Sequence, residues 1–127
     1  MERKIKIVAA GVTAEAMLIP DNPTADAVWD ALPLESTCNL WGDEIYFTIP
    51  VSRGLDRDAK EIVEKGNLGY WPEGQAFCIF FGPTPISRGG AIKPASAVNI
   101  FGNIIGSSEV FKQVPSRAPI RVEKVMS

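Results

Sequence analysis

The side chains able to do chemistry in this 127-residue chain are few, and histidine is not among them. Without an imidazole there is no Ser-His-Asp or Cys-His arrangement, no His-ligated zinc and no histidine pH switch. Cys38 and Cys78 stand far apart in the chain with no CxxC spacing, so a thiolate metal site is not expected. No metal and no cofactor are therefore expected. Any reaction must rest on carboxylates, Lys, Tyr, hydroxyls or desolvation.

The segment Glu44-Ile45-Tyr46-Phe47-Thr48-Ile49 alternates cleanly, which puts Glu44, Tyr46 and Thr48 on one face of a strand. A carboxylate beside a phenol can hydrogen-bond a polar ligand or exchange a proton with it. The same alternation also describes the plain polar outer face of a barrel strand. Phe80-Phe81-Gly82-Pro83-Thr84-Pro85 ends a strand and enters a rigid loop. With bulky apolar groups on both faces, one phenylalanine turned from the core would floor a ligand groove, with Thr84 and Ser87 at its rim. Tight-turn packing explains the same residues equally well. Arg88-Gly89-Gly90 offers a cation on a flexible loop, but lacks the strand–loop–helix setting of a phosphate site. The candidate binding residues are thus Glu44, Tyr46, Phe80, Phe81, Thr84, Ser87 and Arg88, and no catalytic residue is assigned.

These groups need elements to hold them. The 11 glycines and 10 prolines point to many turns between short strands rather than to a helix bundle. Strands are expected near 3–9, 14–19, 34–41, 44–50, 68–72, 76–81, 97–105 and 119–125. A helix is expected over about 23–32, with Asn22 at the N-cap, Pro23 at N1, Asp26 in the first turn and Pro33 ending it. Within it Ala25, Val28, Trp29 and Leu32 recur at helical spacing, which predicts Trp29 as core. Ser107 or Ser108 caps a second short helix carrying Val110 and Phe111. Residues 56–65 read as either a helical turn or an irregular segment. Tyr70-Trp71-Pro72 precedes a turn at Glu73-Gly74; exposed aromatics there would form a partner patch, and buried ones would close the barrel. This pattern gives one domain over 1–127: a mainly β, closed antiparallel barrel plugged by two short helices.

The remaining composition narrows partners and compartment. Thirteen Lys and Arg against fifteen Asp and Glu leave no basic footprint for nucleic acid or an anionic membrane. Lys6 interrupts the apolar run that follows the first charges, which speaks against a signal peptide. The longest apolar run, 76–81, is too short to span a bilayer as a helix. Two lone cysteines fit reduced, buried thiols and a cytoplasmic setting.

Four motifs carry a family resemblance: Trp41-Gly42-Asp43-Glu44-Ile45-Tyr46-Phe47, Gly69-Tyr70-Trp71-Pro72-Glu73-Gly74, Phe80-Phe81-Gly82-Pro83-Thr84-Pro85-Ile86-Ser87 and Pro94-Ala95-Ser96-Ala97-Val98-Asn99. Together they resemble the short prokaryotic cyclophilin-like domain family, uncharacterised relatives of the peptidyl-prolyl isomerases. The segment Val98–Ile105 followed by Ser107–Val114 resembles the cyclophilin strand ending V-F-G-K-V with its helix. The resemblance implies an eight-stranded cyclophilin-like barrel with two helices.

Isomerase activity does not follow from it. Cyclophilins use an arginine, a tryptophan and a histidine, and the resemblance places these near Phe47, near Lys93 and at Val98. All three positions depart from the pattern. The expected role is binding of a peptide segment or small molecule in an outer-face groove without efficient prolyl isomerisation, the oligomeric state being open. A weak or reshaped isomerase and a carboxylate enzyme acting on a small polar substrate through Glu44 are the alternatives.

Overall fold

A computed structural model describes residues 2–126 of the chain. Its strands are β1 (Lys4–Ala9), β2 (Val12–Leu18), β3 (Leu34–Thr37), β4 (Asn39–Leu40), β5 (Glu44–Thr48), β6 (Asn67–Trp71), β7 (Ala76–Phe80), β8 (Asn99–Ile105) and β9 (Pro119–Lys124). They form one antiparallel sheet in the order β3-β9-β1-β2-β8-β6-β7-β5-β4.

The sheet curls into a nearly closed barrel. The strand expected over 34–41 is divided at Cys38: β3 pairs with β9, while β4 pairs with β5. The Cys38 amide donates to the Ala118 carbonyl at 2.8 Å, and its carbonyl accepts from the Arg117 amide. One bent segment thus reaches both edges of the sheet. Among the described residues nine strands take the place of the eight expected, and no ladder joins β3 to β5 at the seam.

Alternation decides which side chains go inside. Ile5 and Ile7 are wholly buried, whereas Lys4 and Lys6 stay outside and pair with Glu15 and Glu123. Phe47 and Phe77 stack in the interior with ring centres 4.9 Å apart, and Phe101 meets Phe77 edge-on at 5.1 Å.

The helix α1 (Pro23–Ala31) starts as expected: the Asn22 side chain accepts from the Ala25 amide at 2.9 Å, and Pro23 takes the first turn. Trp29 departs from the expectation. It is only half-buried, lying under Arg3 and Lys124, whose charges sit 5.4 and 4.8 Å from its ring centre. The second helix is a six-residue 3₁₀ turn over Ser108–Gln113, capped by Ser107 and inserting Phe111 into the core. Six residues are too few for an α-helix to repay its nucleation.

Residues 56–65 contain no helix, and a polar knot holds the loop at their start. Asn99 donates to the Gly54 carbonyl and accepts from the Asp56 amide. Asp56 accepts from Thr24, and Arg53 bonds to both Thr24 and Asp56. Thr24 comes from α1, Asn99 from β8 and the other three from the loop itself, so the loop is fixed against both α1 and β8.

Candidate functional site

Apolar residues also gather outside the barrel. Val63, Ala76, Cys78, Phe80, Ile92 and Val98 form a second, smaller cluster on the outer face of β5, β6, β7 and β8. The segments that cover it are tied down by backbone pairs. Lys60 and Val98 exchange bonds of 2.8 and 2.9 Å, and the Val63 amide donates to Ile92 at 2.9 Å. This cover does not fill the face. A cavity of about 250 Å³ remains, lined by Trp41, Glu44, Tyr46, Trp71, Pro94, Ala95 and Val98.

The sequence builds each wall locally. Gly42 takes a φ of +60°, the left-handed value that a tight hairpin turn demands and glycine adopts cheaply. Trp41 and Glu44 therefore exchange both backbone hydrogen bonds, at 2.9 and 3.2 Å, and face each other across the turn. Gly42 is also needed for space, since a Cβ there would stand 2.9 Å from the Thr84 backbone. Two residues beyond Glu44, Tyr46 shares its face; Ile45 and Phe47 point inward.

On β6 the same alternation separates neighbours of similar size. Tyr70 turns inward and donates its hydroxyl to the Val51 carbonyl, while Trp71 turns outward into the cavity wall. Tyr46 and Trp71 meet edge to face, with centres 6.4 Å apart and planes at 81°. The Trp71 indole N–H donates to the Ser96 hydroxyl at 2.6 Å, and Ser96 donates in turn to Glu73. That relay fastens the 94–98 segment against the indole.

Glu44 dominates the electrostatics. It is 5% exposed, forms no salt bridge among the described residues, and its Oε1 has no hydrogen-bond partner. Burial pushes its carboxyl up to about 7, eased a little by the adjoining Cys78 thiol. The thiol itself points to the Ala76 carbonyl at 3.9 Å, too long for a firm bond. Cys78 is raised further, by desolvation first and by the nearby carboxylate second, so it stays a neutral thiol. Cys38, at the bend between β3 and β4, is pushed up to about 11 by desolvation. Both cysteines are free and buried. No three potential metal-ligating side chains converge among the described residues.

Of the seven candidate residues, the cavity brings together Glu44 and Tyr46. Phe80 is wholly buried within the outer cluster and Phe81 lies in the barrel interior beside Phe111, so neither floors the cavity. Thr84 and Ser87 are not rim hydroxyls. Thr84 donates to the Lys93 carbonyl, and Ser87 accepts from the Thr84 and Lys93 amides, so both staple their own loop. Arg88 is exposed in the turn that pairs it with Ala91, away from the cavity lining.

Sequence reasoning assigned no site role to Trp41, Pro94 or Ala95, and read Trp71 chiefly as hairpin structure. The turn Trp41-Gly42-Asp43-Glu44 held the missing signal, because its ends are obligatory cross-strand neighbours. Phe47, where the resemblance put the cyclophilin arginine, points inward. Val98, where it put the histidine, does line the cavity.

Comparison with known proteins places the fold. No curated relative matches the chain. The hypothetical protein AF2241 of Archaeoglobus fulgidus, known from a solution structure, is 42% identical and superposes with a TM-score of 0.83, covering 98% of this chain and 95% of its own. McbB, solved in complex with tryptophan, shares the fold at 17% identity and a TM-score of 0.71; 97% of this chain matches 45% of McbB. The cyclophilin-like family model matches residues 3–123, and the chain belongs to the cyclophilin-like family.

Proposed function

We propose that this barrel binds a small molecule, or one side chain of a peptide, in the outer-face cavity and does not isomerise prolyl bonds efficiently. One observation carries the reading: three aromatic side chains line the same cavity as a buried carboxylate whose Oε1 has no partner. A buried polar atom left unmatched costs roughly 1–3 kcal/mol, and a fold retains that cost where a ligand relieves it. That a protein of the same fold binds tryptophan is consistent with a barrel of this shape receiving a small molecule.

The isomerase alternative lacks an arginine donor here. Weakening amide resonance needs a hydrogen-bond donor at the proline nitrogen in a desolvated groove. Arg53 is held by Thr24 and Asp56, and the exposed Arg88 does not line the cavity. A protease-coupled assay on proline tetrapeptides is expected to show only the uncatalysed rate.

A second reading draws on Glu44 alone. A carboxyl near 7 beside a phenol suits general acid–base work on a small polar substrate near neutral pH. Binding comes before either chemistry, so binding is the test. A fragment screen followed by amide and indole NMR should move the Trp41 and Trp71 indole signals together with residues 94–98. Filling the cavity with Ala95→Trp should abolish those shifts while leaving the barrel spectrum intact. Fragments that shift other regions, or none that bind, would overturn the proposal.

A further inference from the structure

The cavity also specifies the chemistry of its occupant. We infer that it receives a methylated ammonium group, held over the faces of Trp41, Tyr46 and Trp71 against the Glu44 carboxylate. The inference rests on the cavity being a ligand site and adds the class of ligand.

Three observations lead there. The first is charge. Glu44 is 5% exposed, with no salt bridge among the described residues and an unpartnered Oε1, so ionising it creates a buried negative charge that has no counterion. Burial alone keeps that carboxyl near 7, which a facing cation would reverse by favouring the ionised form.

The second observation is the walls. Tyr46 and Trp71 stand almost perpendicular, and Trp41, paired with Glu44 across the tight turn, lines the same cavity. Aromatic faces carry negative potential, so a corner of such faces attracts a cation, most strongly when desolvated. The Trp71 ring cannot swing away to water, because its N–H is bonded to Ser96, which is bonded to Glu73. The indole is thus spent as a donor and presents the cavity with its ring.

The third is the shortage of acceptors. A primary ammonium brings three N–H donors that must all be satisfied once buried. Around Glu44 the side chains lining the cavity are aromatic rings, Pro94, Ala95 and Val98, so among side chains one carboxylate and a phenol are the acceptors on offer. Methyl groups remove those donors while leaving the charge. A compact, weakly hydrated cation with apolar edges also matches the roughly 250 Å³ available. A neutral apolar ligand fits the walls but leaves the carboxylate unrelieved. An anion meets Glu44 directly.

Choline and its uncharged carbon isostere 3,3-dimethylbutan-1-ol have the same shape and differ in charge, so the pair isolates the inference. Titrated into the intact protein and followed at the Trp41 and Trp71 indole signals, choline should bind at least about tenfold more tightly than the isostere. Ethanolamine, the unmethylated amine, should bind more weakly than choline. Each aromatic face contributes about two- to thirtyfold in affinity, the span of cation–π strengths at ten per 1.4 kcal/mol. Tyr46→Leu should lower choline affinity within that range, and Glu44→Gln should narrow the gap between choline and the isostere to what the aromatic faces alone supply.

A trimethyllysine peptide run beside choline distinguishes a protein side chain from a free metabolite as the source of the same head group; tighter binding by either supports the inference. Equal affinity for choline and the isostere would overturn the cation while leaving the cavity as an apolar ligand site. Preference for ethanolamine would overturn the methyl groups. No indole shift with any of these probes would overturn the inference; if the fragment screen also fails, the ligand-site reading falls with it.

Discussion

The two faces of β5 are built from one stretch of five residues and behave as different materials. Inward, Ile45 and Phe47 join a barrel core of uniform apolar character, with stacked Phe47 and Phe77 at its centre. Outward, Glu44 and Tyr46 lie under a loop that buries them without completing their contacts. The interior is close-packed and its groups are satisfied; the outer face keeps a cavity and an unmatched carboxylate oxygen. Burial alone does not distinguish core from site. What distinguishes them is whether the buried groups find partners.

Removing a ring from the interior should show the largest effect. Phe77→Ala should cost about 3–5 kcal/mol, read as a fall in the urea midpoint, because the cavity cannot collapse inside a barrel. Tyr46→Leu, on the outer face, should cost under about 1.5 kcal/mol, since one side of its ring already borders empty space. Equal costs would erase the distinction between the two faces.

Glu44 supplies the next effect, with a definite sign. Its folded carboxyl sits near 7, above the ordinary value of about 4.5 that it regains on unfolding. The folded state therefore holds the proton more tightly, and its stability falls as pH rises from below 4.5 through 7. The groups facing it are Cys78 on β7, a neutral thiol over this range, and Tyr46 on its own strand. Between about pH 5 and about pH 8 the wild type should lose about 2–3 kcal/mol through this group. Glu44→Gln should lack that loss. A variant whose stability tracks the wild type at every pH would show that the carboxylate is not strained by burial.

Ser96→Ala should give the smallest effect. Losing the Trp71–Ser96–Glu73 relay should cost about 1 kcal/mol of stability. The freed indole should also change its fluorescence and weaken cavity ligands several-fold. Unchanged indole emission would mean that Ser96 does not position the ring.

Most of the fold could be read from the chain because it rests on local rules. Alternation marked β1 and β5, Asn22 and Pro23 marked the start of α1, and the four motifs marked the family. Two features escaped because they depend on closure. Trp29 lies at a core spacing but meets Arg3 and Lys124 at the barrel rim, and the strand expected at 34–41 divides where it changes partners. In the site, period-two patterning put Glu44 and Tyr46 on one face but could not show that the face is covered. That cover comes from segments about 15 to 50 residues further along the chain, held by Lys60–Val98 and Val63–Ile92 pairs with no sequence signature. Thr84 and Ser87 looked available for the same reason: their partner, Lys93, becomes visible once the loop has folded back.

The central claim is that Glu44 is a dry carboxylate waiting for a counterion. NMR titration of its side-chain carboxyl carbon in the ligand-free protein measures that directly. A midpoint near 7 is expected. A midpoint at the ordinary value of about 4.5 would mean that water reaches the group freely and that Glu44 is not a dry carboxylate.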